Sequence, residues 1–269
     1  TEDYCAREFG IDLDRITVDR FFQSDPNAKW LFPDLVREAV VSGMRRKPAY
    51  PELIVRDEHI ETAAYVVPYV VENADEEELR AVAEGAAVPE STITYGDRIV
   101  RLDKKGRGVI ASYEVIRRMS VDLLRVHLRR IGERLGRDLD ARLATVLIDG
   151  DSSGETAATV LNTATPDTLV YSDLLAAYGT LAMSHYFTPT HMLVSGTALG
   201  AVLNLDEFKD TMLFDFPKSG ALPTPFGVKL VPMPGQPDTK VTLLDAGYAA
   251  QKLTEQDLLV ESDKLIHQQ

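Results

Sequence analysis

The chain has 269 residues, 45% of them hydrophobic and 26% charged, which suits one large or two modest folded domains and excludes wholesale disorder. Its formal net charge of −13 argues against a reader of nucleic-acid sequence, because such proteins neutralise phosphates with a basic patch. An acidic body can still enclose nucleic acid without gripping it, and solubility alone also accounts for the charge.

No run of about 18 uncharged apolar residues occurs, and the front, Thr1-Glu2-Asp3-Tyr4, lacks the basic-then-apolar order of a secretion signal. A soluble protein of cytoplasmic origin with no membrane partner is expected. Because the sequence opens on Thr1, a trimmed or processed front is expected too. The single cysteine, Cys5, removes intrachain disulfides and thiolate zinc clusters. None of the histidines His59, His127, His185, His191 and His267 stands four residues from another, so no helix offers the usual paired metal ligands. Neither metal nor cofactor is expected.

Residues 1–30 carry short apolar pieces, Ile16, Val18, Phe21 and Phe22, without a sustained period, and read as an N-terminal arm rather than a core element. From Pro33 to Arg45 the apolar residues Leu35, Val36, Ala39, Val40 and Met44 recur at helical spacing, with proline where a first turn tolerates it. Lys47-Pro48 ends that helix, which with its lead-in occupies residues 31–52. Residues 53–105 contain two strand-like runs, Ala63–Val71 and Thr92–Leu102, rich in β-branched and aromatic residues. Between them lie the acidic Asn73–Leu79 and the turn-rich Ala83–Pro89. Two long strands joined this way predict a projecting hairpin, and an isolated two-stranded ribbon is marginal in water, so it wants a neighbour.

Ser112 to Asp149 contains no proline and places Leu124, Leu128, Ile131, Leu135, Leu139, Leu143 and Leu147 on one broad stripe, with Arg129, Arg130, Glu133 and Arg137 mainly opposite. One helix of about 55 Å is predicted from the 1.5 Å rise per residue, capped by Ser112 and ended by Asp149-Gly150-Asp151, with a bend allowed at Gly132 and Gly136. Short alternating elements follow: a helix over Ser172–Ser184, a strand at His191–Val194, a helix over Gly196–Leu205, and strands at Val228–Val231 and Val241–Leu244. Proline-bearing loops separate them, and the tail Leu258–Ile266 is a further strand candidate.

Several motifs suit plain structural roles better than chemistry. Asp149-Gly150-Asp151-Ser152-Ser153-Gly154 resembles half of a calcium loop, but Val160 stands where a bidentate glutamate belongs, so a helix-ending turn is preferred. Gly106-Arg107-Gly108 does not continue into a dinucleotide fingerprint. Ser195 lacks the glycine two residues before it that a nucleophile elbow needs, so helix capping is its expected role. A hydrolase using Ser195, or Asp149 with Asp151, is the alternative of a different class. Asp75 to Glu78 read as a solvated acidic face, and the arginines of the long helix as partners of carboxylates in the same helix or in a neighbouring subunit.

Four pieces of local wording then appear in a recognisable order. Ala83-Glu84-Gly85-Ala86-Ala87-Val88-Pro89 is similar to a hairpin motif of the Hong Kong 97 capsid fold. Lys105-Gly106-Arg107-Gly108-Val109-Ile110-Ala111-Ser112-Tyr113-Glu114 is similar to its strand entering the spine helix. Ile148-Asp149-Gly150-Asp151 looks like the end of that helix, and Leu243-Leu244-Asp245-Ala246-Gly247-Tyr248 resembles its returning segment. Over roughly residues 31 to 266 the chain thus resembles the major capsid proteins of tailed phages, a fold shared with encapsulins.

That resemblance implies an α+β protein: arm 1–30, lead-in helix 31–52, extended loop 53–105, peripheral strand and spine helix 106–149, axial domain 150–242 and a return over 243–269. It implies a structural, non-enzymatic subunit of the virion, assembled in the host cytoplasm. Pentamers and hexamers would form an icosahedral shell around double-stranded DNA, with portal, scaffold, protease or decoration proteins as further partners. An encapsulin-like compartment is the alternative within the fold. Expected assembly contacts are Glu76, Glu77, Glu78 and Glu84 on the loop, Arg129, Arg130 and Arg137 on the helix, and Phe216 and Phe226 near the symmetry axes. Some family members link subunits by lysine-to-asparagine bonds, yet no lysine lies between Pro48 and Asp103, so non-covalent contacts are expected here.

Overall fold

A computed structural model describes residues 2–24, 28–71, 94–151, 159–209 and 225–261. Its axis is a 29-residue helix, α5 (Val121–Asp149), preceded by the six-residue α4 (Tyr113–Arg118). The single helix expected from Ser112 is therefore two. Ser112 caps the first, its hydroxyl accepting from the Val115 amide, and Ser120 caps the second, accepting from Leu123 at 3.2 Å. Between them Met119 is extended (ψ 128°), a break that the local sequence, free of proline, does not demand. The far end stops at Gly150, whose φ of 88° suits glycine and whose N–H reaches the Val146 carbonyl.

Helix α3 (Phe32–Met44) crosses α5, and the crossing explains the glycines of the long helix. A Cβ on Gly43 would overlap the Arg129 carbonyl oxygen, and one on Gly132 would overlap that of Val40, while at Gly136 it would meet the Met44 oxygen at 3.0 Å. Backbone lies on backbone because the side chains are missing. Ala39, Val40, Leu128 and Ile131 fill the space beside the contact. The most buried row of α5 is Leu128, Gly132, Gly136, Asp140 and Ala144, an i,i+4 ridge of mostly small residues, whereas Leu135, Leu139, Leu143 and Leu147 stay half-exposed beside it.

The N-terminal residues, expected as an arm rather than a core element, help to build a core. They form α1 (Glu2–Phe9) and α2 (Val18–Ser24) and bury Cys5, Ile11, Leu13, Val18 and Phe21 in one cluster with Leu35 and Val121. The sequence hid this because the buried residues are split among two short helices and a turn, none long enough to show a period. Burial pushes the Cys5 thiol pKa up, which keeps it protonated and unreactive.

Four strands form two-stranded pairs. Strand β1 (Arg56–His59) runs parallel to the later Gln251–Thr254, and β2 (Ala64–Val71) pairs antiparallel with β3 (Thr94–Arg101) in unbroken register from Ala64↔Arg101 to Val71↔Thr94. The ribbon's strands match expectation, while its acidic connection lies outside the described residues. Strands β4 (His191–Val194), β5 (Lys229–Pro232) and β6 (Thr242–Leu244) form a mixed sheet in the order β5-β4-β6. Packed on it are α6 (Tyr171–Gly179), which ends in a π-helical turn over Thr180–Ser184, α7 (Gly196–Leu203) and the single turn α8 (Asp206–Lys209). Strand β7 (Gln251–Thr254) was not expected, while of the expected tail strand Leu258–Ile266 residues 258–261 are irregular and the rest lies outside the described residues.

Candidate assembly surface

Two surfaces of α5 differ in what they touch. On the inner side Asp140, only 3% exposed, accepts from the Ala49 amide at 3.0 Å and the Tyr50 amide at 2.8 Å, holding the tight helical turn Tyr50–Glu52. That turn seats the fully buried Leu53 among Ala144, Leu193, Val231 and Leu244, so one cluster joins the long helix to the mixed sheet. Glu52 pairs with Lys229 of β5. Gly235, at φ 84°, lies against the backbone of Ala141 and closes the same joint.

The helix carboxylates were expected to pair along the helix or across subunits. Instead they serve other elements of the same chain: Glu133 binds Arg46 at 2.7 Å and Asp138 binds Lys105. Arg142 reaches Asp103 at 3.0 Å and Arg125 reaches Asp14 at 3.9 Å. This leaves Arg129, Arg130, Arg134 and Arg137 exposed, with no carboxylate within 4 Å among the described residues. The exposed Leu123 and Val126 lie toward the N-terminal end of the same helix.

The other expected contact residues divide. Phe226 is half-buried, with ring centroids 5.5 Å from Tyr171 and 5.4 Å from Tyr178, and its φ of 56° is unusual for a bulky residue. Glu76, Glu77, Glu78, Glu84 and Phe216 lie outside the described residues. Ser195, 6% exposed, caps α7 through its hydroxyl, which accepts from Ala198 at 3.1 Å. Asp149 is exposed at the end of α5. Among the described residues no group of three or more histidine, cysteine or carboxylate side chains is placed to hold a metal, and no helix is long and apolar enough to cross a membrane.

Against this geometry, a protein-family model described as phage capsid protein matches residues 95–263, more than half of the chain. The chain belongs to the phage capsid protein family. It is thus a capsid protein of the phage virion, and the match runs from β3 through the long helix and the mixed sheet to just beyond β7. Among solved structures, one from Mycobacterium phage Bobi is similar at 19% identity and a TM-score of 0.39, covering 58% of this chain and 55% of that one. The capsid chain therefore spans about half the length of that relative. No curated protein matches.

One titrating group sits inside this capsid subunit's sheet. His191 faces Lys229 across β4 and β5, and its ring Nδ1 lies 2.9 Å from the Thr190 hydroxyl. Partial burial, and then the Lys229 charge, hold its pKa below the usual value, with Glu52 opposing. The neutral ring is thus favoured in the fold. Its contribution to stability is complete above the unfolded value of about 6.5 and is lost as pH falls through the lower folded value. Urea midpoints taken at falling pH should drop below about pH 6.5 in the native protein and drop less in His191→Gln.

Proposed function

We propose that this capsid protein is the major shell subunit of a tailed phage, built on the Hong Kong 97 fold, and that it works by self-assembly rather than catalysis. The observation that carries the proposal is the β2–β3 ribbon. Among the described residues it pairs only with itself, and it keeps the cross-strand pair Val66 and Ile99 about half exposed, at 48% and 56%. A ribbon of this kind is marginal alone, so a second copy completes it.

In this reading the extended loop is residues 53–105, the spine 106–149, the axial unit 150–242 and the return 243–269. The loop's Glu76, Glu77, Glu78 and Glu84 meet the uncompensated Arg129, Arg130 and Arg137 of a neighbour, and Phe216 and Phe226 belong to the part of the axial unit nearest the symmetry axes. Exposed charge pairs give about 0–1 kcal/mol each, so their effect comes from repetition around a shell and weakens in salt. Pentamers and hexamers close that shell around double-stranded DNA in the host cytoplasm, and portal, scaffold, protease or decoration proteins complete the particle. Electron microscopy of the purified protein tests the proposal: closed shells are expected, and a small discrete oligomer at every concentration refutes it.

The absence of lysine between Pro48 and Asp103 gives a separate prediction. Particles boiled in denaturant should run as one band at the mass of a single subunit. A ladder of covalent multimers would show that another amine supplies the bond.

A further inference from the structure

We propose that the N-terminal segment is a strap that holds the long helix broken at Met119, and that on release of the strap α4 and α5 fuse into one helix. The inference does not depend on the capsid reading.

The hydrogen bonds around the break carry it. In a continuous helix the Val121 N–H would bond the Arg117 carbonyl, and the Met119 carbonyl would accept from Leu123. Both groups are instead taken by the strap: Val121 donates to Ile16 at 3.0 Å, and Val18 donates to Met119 at 3.0 Å. The Leu123 amide, released from its helical partner, is taken by the Ser120 hydroxyl. The strap thus supplies the backbone partners that the break would orphan, and buried backbone groups do not stay unpaired. Thr17 bridges Ser120 between these two bonds, and Arg125–Asp14 adds a charge contact from the first turns of α5.

Side chains point the same way. Val18, Phe21, Leu13 and Cys5 of the strap bury Val121, with Ile116, Met119 and Leu124 packed against the cluster. These residues come from both sides of the break, so the strap binds a shape that exists only when the helix is broken. Within Tyr113–Asp149 the capping Ser120 alone favours a break, for the segment contains no proline and Met119 is a good helix former. The two states differ by what the strap contributes, and the coupling is reciprocal, so straightening the helix must also loosen the strap.

Spin labels at Glu114 and Arg130, both exposed and sixteen residues apart, read the switch in a Cys5→Ala background. One continuous helix sets their backbones about 24 Å apart, and the break sets a different separation. Val18→Asp should move the distance to the continuous-helix value. Adding Ser120→Pro should restore the native distance, because the native φ of −70° at Ser120 and ψ of 128° at Met119 suit a proline, whereas a proline there cannot continue the helix. The reverse arm leaves the strap untouched: Ser120→Leu, which removes the cap and favours helix, should raise the reaction rate of Cys5 with a thiol reagent at least about tenfold. An unchanged label distance in Val18→Asp, or an unchanged Cys5 rate in Ser120→Leu, overturns the proposal.

Discussion

Gly132→Ala is expected to lower stability by about 3 kcal/mol or more, at the top of the usual range for overpacking. Most overpacked sites relax because a side chain moves. Here the atom in the way is the Val40 carbonyl oxygen, part of the α3 ladder, so the whole of α3 must shift or tilt. Gly43→Ala meets the Arg129 carbonyl and should behave alike, while Gly136→Ala, whose nearest contact is 3.0 Å, should cost less. Gly200→Ala on α7 is the control. It has nothing within 4 Å and a helical backbone, so it should be neutral or stabilising by about 0.5–1 kcal/mol. Urea midpoints of the four variants check the order, and a tolerated Gly132→Ala would mean that the two helices stand further apart than described.

Asp140→Ala should cost about 2–3 kcal/mol, because it strands the Ala49 and Tyr50 amides in a site where water has little access. The loss should not stay local. Those amides fix the turn that seats Leu53 between the long helix and the sheet and sets Glu52 against Lys229. Asp140→Asn keeps one acceptor oxygen and should recover part of the loss. Amide exchange decides whether the mechanism is right: Ala49 and Tyr50 should exchange far faster in Asp140→Ala, and unchanged protection would place the stability loss elsewhere.

Elements with strong local periodicity were legible in the sequence. The helix over Phe32–Met44, both ribbon strands, β4 and α7 announce themselves through spacing, β-branched content or a capping serine. What escaped is set by distant partners. The break at Met119 is written in residues 16–18, about a hundred positions away, and β1, Arg56-Asp57-Glu58-His59, has no apolar alternation at all. It is a strand because β7 lies alongside, with Lys252 on Asp57 and Gln251 on Glu58 at 2.6 Å. The glycines of α5 were readable as a weakness but not as a contact, since only α3 gives them a purpose. The candidate surface was legible in part: the arginines were visible, but that Glu133 and Asp138 bind Arg46 and Lys105, leaving Arg129, Arg130, Arg134 and Arg137 without a carboxylate among the described residues, needed the fold.

The β1–β7 pair also sets a clock on synthesis. Asp57 and Lys252 are 195 residues apart, so at about 5–20 residues per second the ribosome needs roughly 10–40 s between making one strand and the other. Through that interval Arg56–His59 has neither its partner nor an apolar face to drive collapse, so the segment waits without strand structure. The pair can close only after Gln251–Thr254 have been made, so a product truncated before them would lack this junction.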